Sequence, residues 1–477
     1  MSDSAERALE VLLGSDLEPI VEMVFRSAGP ERYEALAHDG TVTFSRGDGG
    51  FTVDNVAGRN PLADQSVDRF VGVDAELAGL HPRRTENSYP HGYEQVAQLF
   101  DHPAAPDLCV LHSAGHYWGD QGGHIGEHGS IDVVQARAPF VIAGRGVQNL
   151  GMVDRACRLV DVAPTVAALL GIGPVMGSDG EALVDILDES TRPSHVIGLL
   201  WDGTNPNVLY ELAANGDAPN IARLMAMGTT FKFGAMSNLP TVTLANHTSI
   251  LTGAAPGHHG ILHNAWYDRA LGQQIITNSP GTWAGARDWL WPSVETIHET
   301  VLRSNPDAFS VSINEPCDRG ASWSTFDDMR KGIYERPAIP DDLPHATEMF
   351  VRPFKDYRWS SKVDHLGMEH AVRIWSGDGP KPAFMWCNFT LTDAAFHEGG
   401  PHSDIARASV ADTDARLGAI LDAVESVGAL DDTAFVLVAD HGMEQADTAC
   451  TGDWDAALRD AGLSFRDEAY GFLYFDV

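Results

Sequence analysis

Two short runs constrain this chain more than any other feature. "VIGLLWDG" (196–203) and "TAFVLVADHG" (433–442) are apolar at nearly every position, and each ends on an acid. A strand with one wet face alternates apolar and polar residues, so a strand without alternation is buried on both faces, as in a parallel sheet covered by helices on each side. Helical patterns surround these runs. "APNIARLMAMG" (218–228) and "TLANHTSILTG" (243–253) are two of them. Residues 403–428 form a third, with Val410, Leu417, Ile420, Leu421, Val424 and Val427 on one stripe. The alternation predicts an α/β fold with a mostly parallel central sheet flanked by helices on both faces. In such sheets chemistry gathers beyond the carboxyl ends of the strands, where Asp202 and Asp440 lie.

The first 195 residues carry a similar vocabulary. Residues 4–29 read as one or two helices, and 41–53 as two strands around a Gly/Asp turn. "DLCVLHSAG" (107–115) and "PFVIAG" (139–144) read as short buried strands, and "VAPTVAALLGI" (162–172) as a helix with Pro in its first turn. "SDGEALVDILDES" (178–190) reads as an amphipathic helix, and "TRPSH" (191–195) as a linker.

With 67 acidic against 32 basic residues, the net charge of −35 argues against nucleic-acid binding and against docking on an anionic membrane, both of which rest on basic surface. It leaves room for a small anionic substrate, because locally bound cations override the global field. No apolar run approaches the length of a membrane span. The opening "MSDSAERALEVLLGSDLEP" lacks a basic segment, so a secretory signal is not expected. The five cysteines are odd in number and scattered, which fits reduced thiols and a cytoplasmic setting.

The second half contains a set of residues suited to divalent metals. Asp202 ends one apolar strand, and Asp440 and His441 end another. In "LTDAAFHEGG", Asp393 and His397 are four apart, on one face if helical. Carboxylates and imidazoles of this kind ligate borderline and hard cations. Thr243 stands at the start of a helix. It is either a plain N-cap or a nucleophile where free N–H groups and the helix dipole favour a phosphate. In "GILHNAWYD", Asn264 offers a neutral donor for a phosphoryl oxygen.

Residues 196–443 resemble the type I phosphodiesterase/nucleotide pyrophosphatase branch of the alkaline phosphatase superfamily, through "LLWDGT", "PTVTLANHTSILTG" with "PGHHGILHN", "TDAAFHEGG" and "VADHGM". The resemblance implies two divalent metal ions, zinc being expected. Asp202, Asp440, His441 and Thr243 would hold one, and Asp393 and His397 the other. It further implies that Thr243 is the nucleophile, passing through a phosphothreonine, with Asn264 and a backbone N–H near Thr243 holding a phosphoryl oxygen. The substrate would be a small anionic phosphoester.

That family places one more ligand of the second metal, a histidine in a G-x-H-G turn, well after the "DHG" strand. Only 36 residues follow His441 here, and none is histidine. "GEHGS" (126–130) supplies His128 in that context, followed by the strand and helix that end the superfamily's domain. The chain therefore resembles a circularly permuted member. Residues 1–190 form the carboxyl-terminal part and 191–195 the linker. Residues 196–477 form the amino-terminal and central part, with a substrate-specificity insertion at about 280–385. His124 and His116 are alternatives to His128, and a swapped homodimer would also complete the site.

A phosphonoacetate hydrolase resembles the same core, but the lysines it uses for the substrate carboxylate have no counterpart in "SVSINEPCDRG" (310–320). A sulfatase would need a Cys or Ser in a C/S-x-P-x-R context, which "TVTLAN" does not supply. A phosphomonoesterase shares the site chemistry, and a non-catalytic metal-stabilised module is the alternative from another class. Nucleotide-cleaving relatives often place an aromatic residue after the nucleophile, where Leu244 stands here. The insertion holds Trp283, Trp289, Trp291, Trp323, Trp359 and Trp375, with Arg319 and Lys331. Most of these tryptophans are expected to pack the subdomain rather than to read a ligand.

Overall fold

The computed structural model describes residues 3–119, 123–333 and 355–476. An eight-stranded sheet runs through its centre. Its order is Trp323–Ser324, Ser310–Ile313, Phe384–Phe389, His195–Trp201, Thr433–Val438, Phe140–Gly144, Gly228–Phe231 and Gly151–Val153. Neighbours pair in parallel from Trp323–Ser324 through Thr433–Val438. Phe140–Gly144 runs antiparallel to both of its neighbours. The first third of the chain thus contributes a central strand, Phe140–Gly144, and an edge strand, Gly151–Val153, to a sheet whose other strands come from residues 195–438.

The absence of alternation in the strands is explained by two cores. Val196, Leu200, Val436 and Val438 face one, with Val166 and Ile250 of helices Val162–Leu170 and Thr243–Thr252. Ile197, Leu199, Phe435 and Leu437 face the other, with Leu209, Ile221 and Leu417 of helices Pro206–Asn215, Pro219–Ala226 and Asp404–Ser426. Gly198 is required between them, because a Cβ there would lie 2.1 Å from the Trp386 ring.

A second, seven-stranded antiparallel sheet was not expected. Its order is Phe465–Glu468, Phe472–Phe475, Leu108–His112, Val21–Gly29, Arg32–Ala37, Gly40–Gly47 and Gly50–Gly58. It places the carboxyl-terminal hairpin beside amino-terminal strands.

Four local expectations are corrected. Residues 4–29 are one helix, Asp3–Leu12, and one strand, Val21–Gly29. The strand's apolar residues satisfy either reading until pairing on both sides decides it. Residues 178–190 hold only a short 3-10 turn, Val184–Ile186. The N–H groups of Glu181 and Leu183 are taken by the side chains of Asp161 and Thr165, which draw the segment across a helix start instead. Val427 is exposed, because the helix ends at Ser426 and Val427 is its C-cap. The linker shortens as well, since His195 already pairs with Thr433. The expected insertion at 280–385 lies partly outside the described residues. Among the described residues, no helix is long and apolar enough to cross a membrane, and all five cysteines are free.

Candidate active site

The central strands deliver two carboxylates to one point. Asp202 follows strand His195–Trp201, and Asp440 lies two residues beyond strand Thr433–Val438. The N–H of Gly203 donates to Asp440 Oδ1 at 3.0 Å. Gly203 adopts φ +62°, and a Cβ there would sit 2.6 Å from Asp393 Oδ1, so glycine is what allows the two acidic loops to approach. His441 Nε2 lies 3.2 Å from Asp440 Oδ2 and 3.8 Å from Asp202 Oδ1.

Helix Leu391–Gly399 brings Asp393 and His397 together on one face, four residues apart. The buried Asp364 carboxylate anchors its start, accepting from the N–H groups of Thr390 and Leu391 at 2.9 Å each. His397 Nε2 lies 3.3 Å from Asp393 Oδ1. His128 arrives from the same chain, its Nε2 3.2 Å from His397 Nε2 and 4.0 Å from Asp393 Oδ1. Its ring stacks on that of His441, with centroids 3.7 Å apart.

The three imidazoles share one arrangement. His128 Nδ1 lies 2.7 Å from the Thr241 carbonyl, His397 Nδ1 2.7 Å from the Gly126 carbonyl, and His441 Nδ1 2.9 Å from the Gly442 carbonyl. A carbonyl only accepts, so each Nδ1 carries the proton and each Nε2 presents its lone pair inward. That is the tautomer of a metal-ligating histidine.

Thr243 is the first residue of helix Thr243–Thr252, and the N-cap is Val242, which offers no side-chain cap. The plain N-cap reading of Thr243 therefore does not hold. Asn264 lies against the same helix start, its Oδ1 accepting the N–H of Leu244 at 3.1 Å. That N–H is thus committed to orienting Asn264.

Sequence reasoning missed His247, one turn after Thr243 on the same helix. It is fully buried, with Nε2 3.4 Å from Asp440 Oδ2 and 3.6 Å from Asp202 Oδ2, and Nδ1 3.0 Å from Glu315 Oε2. Glu315 is itself held by the Cys317 N–H and the Trp386 indole N–H. The four-residue spacing from Thr243 was the available signal. Thr241 was missed too. Its hydroxyl donates to the Ser130 carbonyl and accepts the Gly129 N–H, both at 2.8 Å, docking the turn that carries His128.

The electrostatics fit a cation. Burial, with Asp440 and Asp393 nearby, pushes the Asp202 carboxyl well above its ordinary range. Burial, with His441 and His397 nearby, holds His128 well below its own. Asp202 Oδ1, Asp393 Oδ1, Asp440 Oδ2 and His441 Nε2 are buried without a hydrogen-bond partner. Buried acceptors converging in this way are costly unless a cation satisfies them. Asp202, His247 and Asp440 form one candidate metal group, and His128, Asp393 and His441 another.

Of the alternatives to His128, one lies away from this point and the other beside His397. His116 packs against Trp118 and Trp454. His124 forms a third candidate metal group with His397 and Glu127, whose carboxyl burial raises to about 7. A cavity of about 550 Å3 opens beside Thr243 and Asp393, with Trp283, Trp323 and Trp359 in its wall. Trp375 is buried in the core, while Trp289 and Trp291 pack on Trp266 and His102. Arg319 and Lys331 do not line this cavity among the described residues. Arg319 binds Glu299 and the Leu290 and Trp291 carbonyls, and Lys331 pairs with Asp327.

Comparison with known proteins gives the family. The alkaline phosphatase PafA of Elizabethkingia meningoseptica is 33% identical over 114 residues, 24% of this chain and 20% of that protein. Ectonucleotide pyrophosphatase/phosphodiesterase family member 3 of Mus musculus is 24% identical over 237 residues, 49% of this chain and 23% of that protein. The chain thus spans less than a quarter of the length of either relative. The solved murine ectonucleotide pyrophosphatase/phosphodiesterase 5 aligns with a TM-score of 0.38 at 15% identity, covering 54% of this chain and 59% of that one. The family model described as type I phosphodiesterase/nucleotide pyrophosphatase matches residues 196–476, more than half of the sequence, and the chain belongs to that family.

Proposed function

We propose that this protein is a metal-dependent phosphodiesterase with Thr243 as its nucleophile. One observation carries the reading. Four ligand atoms, Asp202 Oδ1, Asp393 Oδ1, Asp440 Oδ2 and His441 Nε2, are buried without a hydrogen-bond partner, and Asp202 and Asp393 line one cavity with Thr243. Asp202, Asp440, His441 and Thr243 would hold one divalent cation, and Asp393, His397 and His128 a second, zinc being the expected metal for this imidazole and carboxylate set. Bound there, the cations supply Lewis-acid stabilisation of charge on the attacking and leaving oxygens.

The chain's own residues do the rest. Thr243 Oγ attacks phosphorus. A bond forms from that oxygen to phosphorus as the bond to the leaving alcohol breaks, and the alcohol takes up a proton. The Asn264 amide, fixed through the Leu244 N–H, offers its NH2 to a non-bridging oxygen as charge develops. Water then cleaves the phosphothreonine, restoring the Thr243 hydroxyl and releasing a phosphate monoester.

The same geometry supports a circularly permuted chain. The strand Phe140–Gly144 lies in the central sheet between Thr433–Val438 and Gly228–Phe231, and the family match begins at residue 196. The carboxyl-terminal strand Phe472–Phe475 reaches Val21–Gly29 through Leu108–His112, so the two ends lie in one sheet. A rearranged chain that starts at residue 196 and carries residues 1–190 after residue 477 is expected to fold and turn over.

The deciding experiment is nitrophenol release from bis(4-nitrophenyl) phosphate by zinc-loaded wild type and His128→Ala. Turnover by the wild type, with loss of at least the roughly 10–100-fold that outer partners of metal ligands already cost, supports the assignment. No turnover by the wild type overturns the activity. Equal turnover by both removes His128 from the site.

A further inference from the structure

The cavity beside Thr243 is far larger than a phosphoryl group requires. Its volume of about 550 Å3 lies within the range that holds a sizeable organic substituent. Its walls present carbon: Leu244, Trp283, Trp323, Phe326, Met329 and Leu366 all line it.

The indole donors in that wall are committed within the protein. The Trp283 indole N–H donates to Asn278 Oδ1 at 2.6 Å, and the Trp323 indole N–H to Asp328 Oδ2 at 3.0 Å. The Asn314 amide donates to the Val363 carbonyl, and the Asn388 amide to the Asn314 carbonyl, each at 3.0 Å. These bonds hold the aromatic faces in place and occupy both indole donors and one N–H of each of the two amides. A base or sugar placed there would exchange its hydrogen bonds to water mostly for contact with carbon, at a real cost per unpaired group.

Charge points the same way. Among the described lining residues Arg373 is the one Arg or Lys, and it lies 3.3 Å from His370 Nδ1. Asp202, Asp328 and Asp393 line the same cavity. A second phosphate or a carboxylate on the substrate would meet little positive charge once beyond the cations beside Thr243.

Resting on the phosphodiesterase reading, we infer that the preferred substrate is a phosphodiester with an uncharged, apolar alkyl or aryl substituent seated in this cavity, rather than a nucleotide. Burial of methylene groups against these walls then contributes to kcat/KM.

The test uses three 4-nitrophenyl phosphodiesters on the zinc-loaded full chain, with methyl, n-hexyl or thymidine 5′ as the second substituent. The hexyl ester is expected to exceed the methyl ester at least tenfold in kcat/KM, with the thymidine ester below the hexyl. Trp323→Ala is expected to flatten the hexyl-to-methyl ratio, a readout that does not depend on how much variant folds. A flat series, or a thymidine ester equal to or better than the hexyl ester, overturns the inference. If no ester is hydrolysed, the phosphodiesterase reading fails. The cavity is then tested by calorimetric binding of hexylphosphonate against methylphosphonate. Tenfold tighter binding of the hexyl compound supports an apolar site, and equal affinity overturns it.

Discussion

The Nδ1–H of His128 donates to the carbonyl of Thr241 at 2.7 Å, joining residues 113 positions apart and fixing which nitrogen of the imidazole faces Asp393 and His397. The Thr241 hydroxyl clamps the same turn from the other side, through Gly129 and Ser130. Thr241→Val keeps the shape but leaves two buried backbone groups without that partner, at a cost of about 1–3 kcal/mol each. Its affinity for a second equivalent of zinc is expected to fall roughly 10–100-fold, the usual effect of losing an outer partner. Competition with a chromogenic chelator measures this, and an unchanged second affinity would show that the clamp does not matter to the ligand.

Thr243→Ala removes the proposed nucleophile and leaves the six other proposed ligand residues in place. Turnover of bis(4-nitrophenyl) phosphate is expected to drop by about 10³-fold or more, because residues that act as a unit in covalent catalysis cost orders of magnitude singly. Metal content by atomic emission should stay within a factor of two of the wild type. Near wild-type turnover in this variant would defeat the mechanism.

His247 stands between three buried carboxylates, those of Asp202, Asp440 and Glu315. Burial opposes its charge, but Glu315 and the two aspartates raise its pKa well above the ordinary value. His247→Ala strands Glu315 in the core and is expected to destabilise the metal-free protein by about 3–5 kcal/mol. Adding Glu315→Gln should recover part of that loss, since the uncompensated charge is gone. Urea unfolding of the four proteins in the cycle reads the coupling. Strict additivity would show that the two residues act independently.

His258 lies 2.8 Å from Asp101 through Nε2 and 2.8 Å from Asp179 through Nδ1. Burial opposes its charge, but the two carboxylates outweigh it and raise the pKa from 6.5 to about 9. The folded value exceeds the unfolded one, so this contribution is fully present below about pH 6.5 and is lost as pH rises through about 9. The denaturation midpoint of the wild type is expected to fall between pH 6.5 and 9.5, and His258→Gln should flatten that slope. An identical slope in both proteins would exclude His258 as its source.

Much of the site was legible from residue type and spacing. Asp202 and Asp440 declare themselves as acids that end apolar runs, and Asp393 and His397 as an i, i+4 pair. Asp161 and Thr165 show the limit. Their side chains capture backbone N–H groups of 181 and 183, and no periodicity within 178–190 reveals that competition. Val21–Gly29 shows another, since its apolar residues suit a helix until Leu108–His112 and Arg32–Ala37 pair with it on either side.

The sequence alone determined the layered α/β core, because strands apolar at every position must be buried on both faces, and residue chemistry pointed to Asp202, Asp393, His397, Asp440 and His441 as candidate metal ligands. Only the tertiary structure decided how those ligands meet. It set which nitrogen of His128 and His397 faces inward, since a carbonyl far along the chain takes the other. It placed His247 and Glu315 behind the aspartates, and it brought the His128 turn against the start of the Thr243 helix. These are relations between segments distant in the chain, fixed by hydrogen bonds and packing that local sequence does not encode.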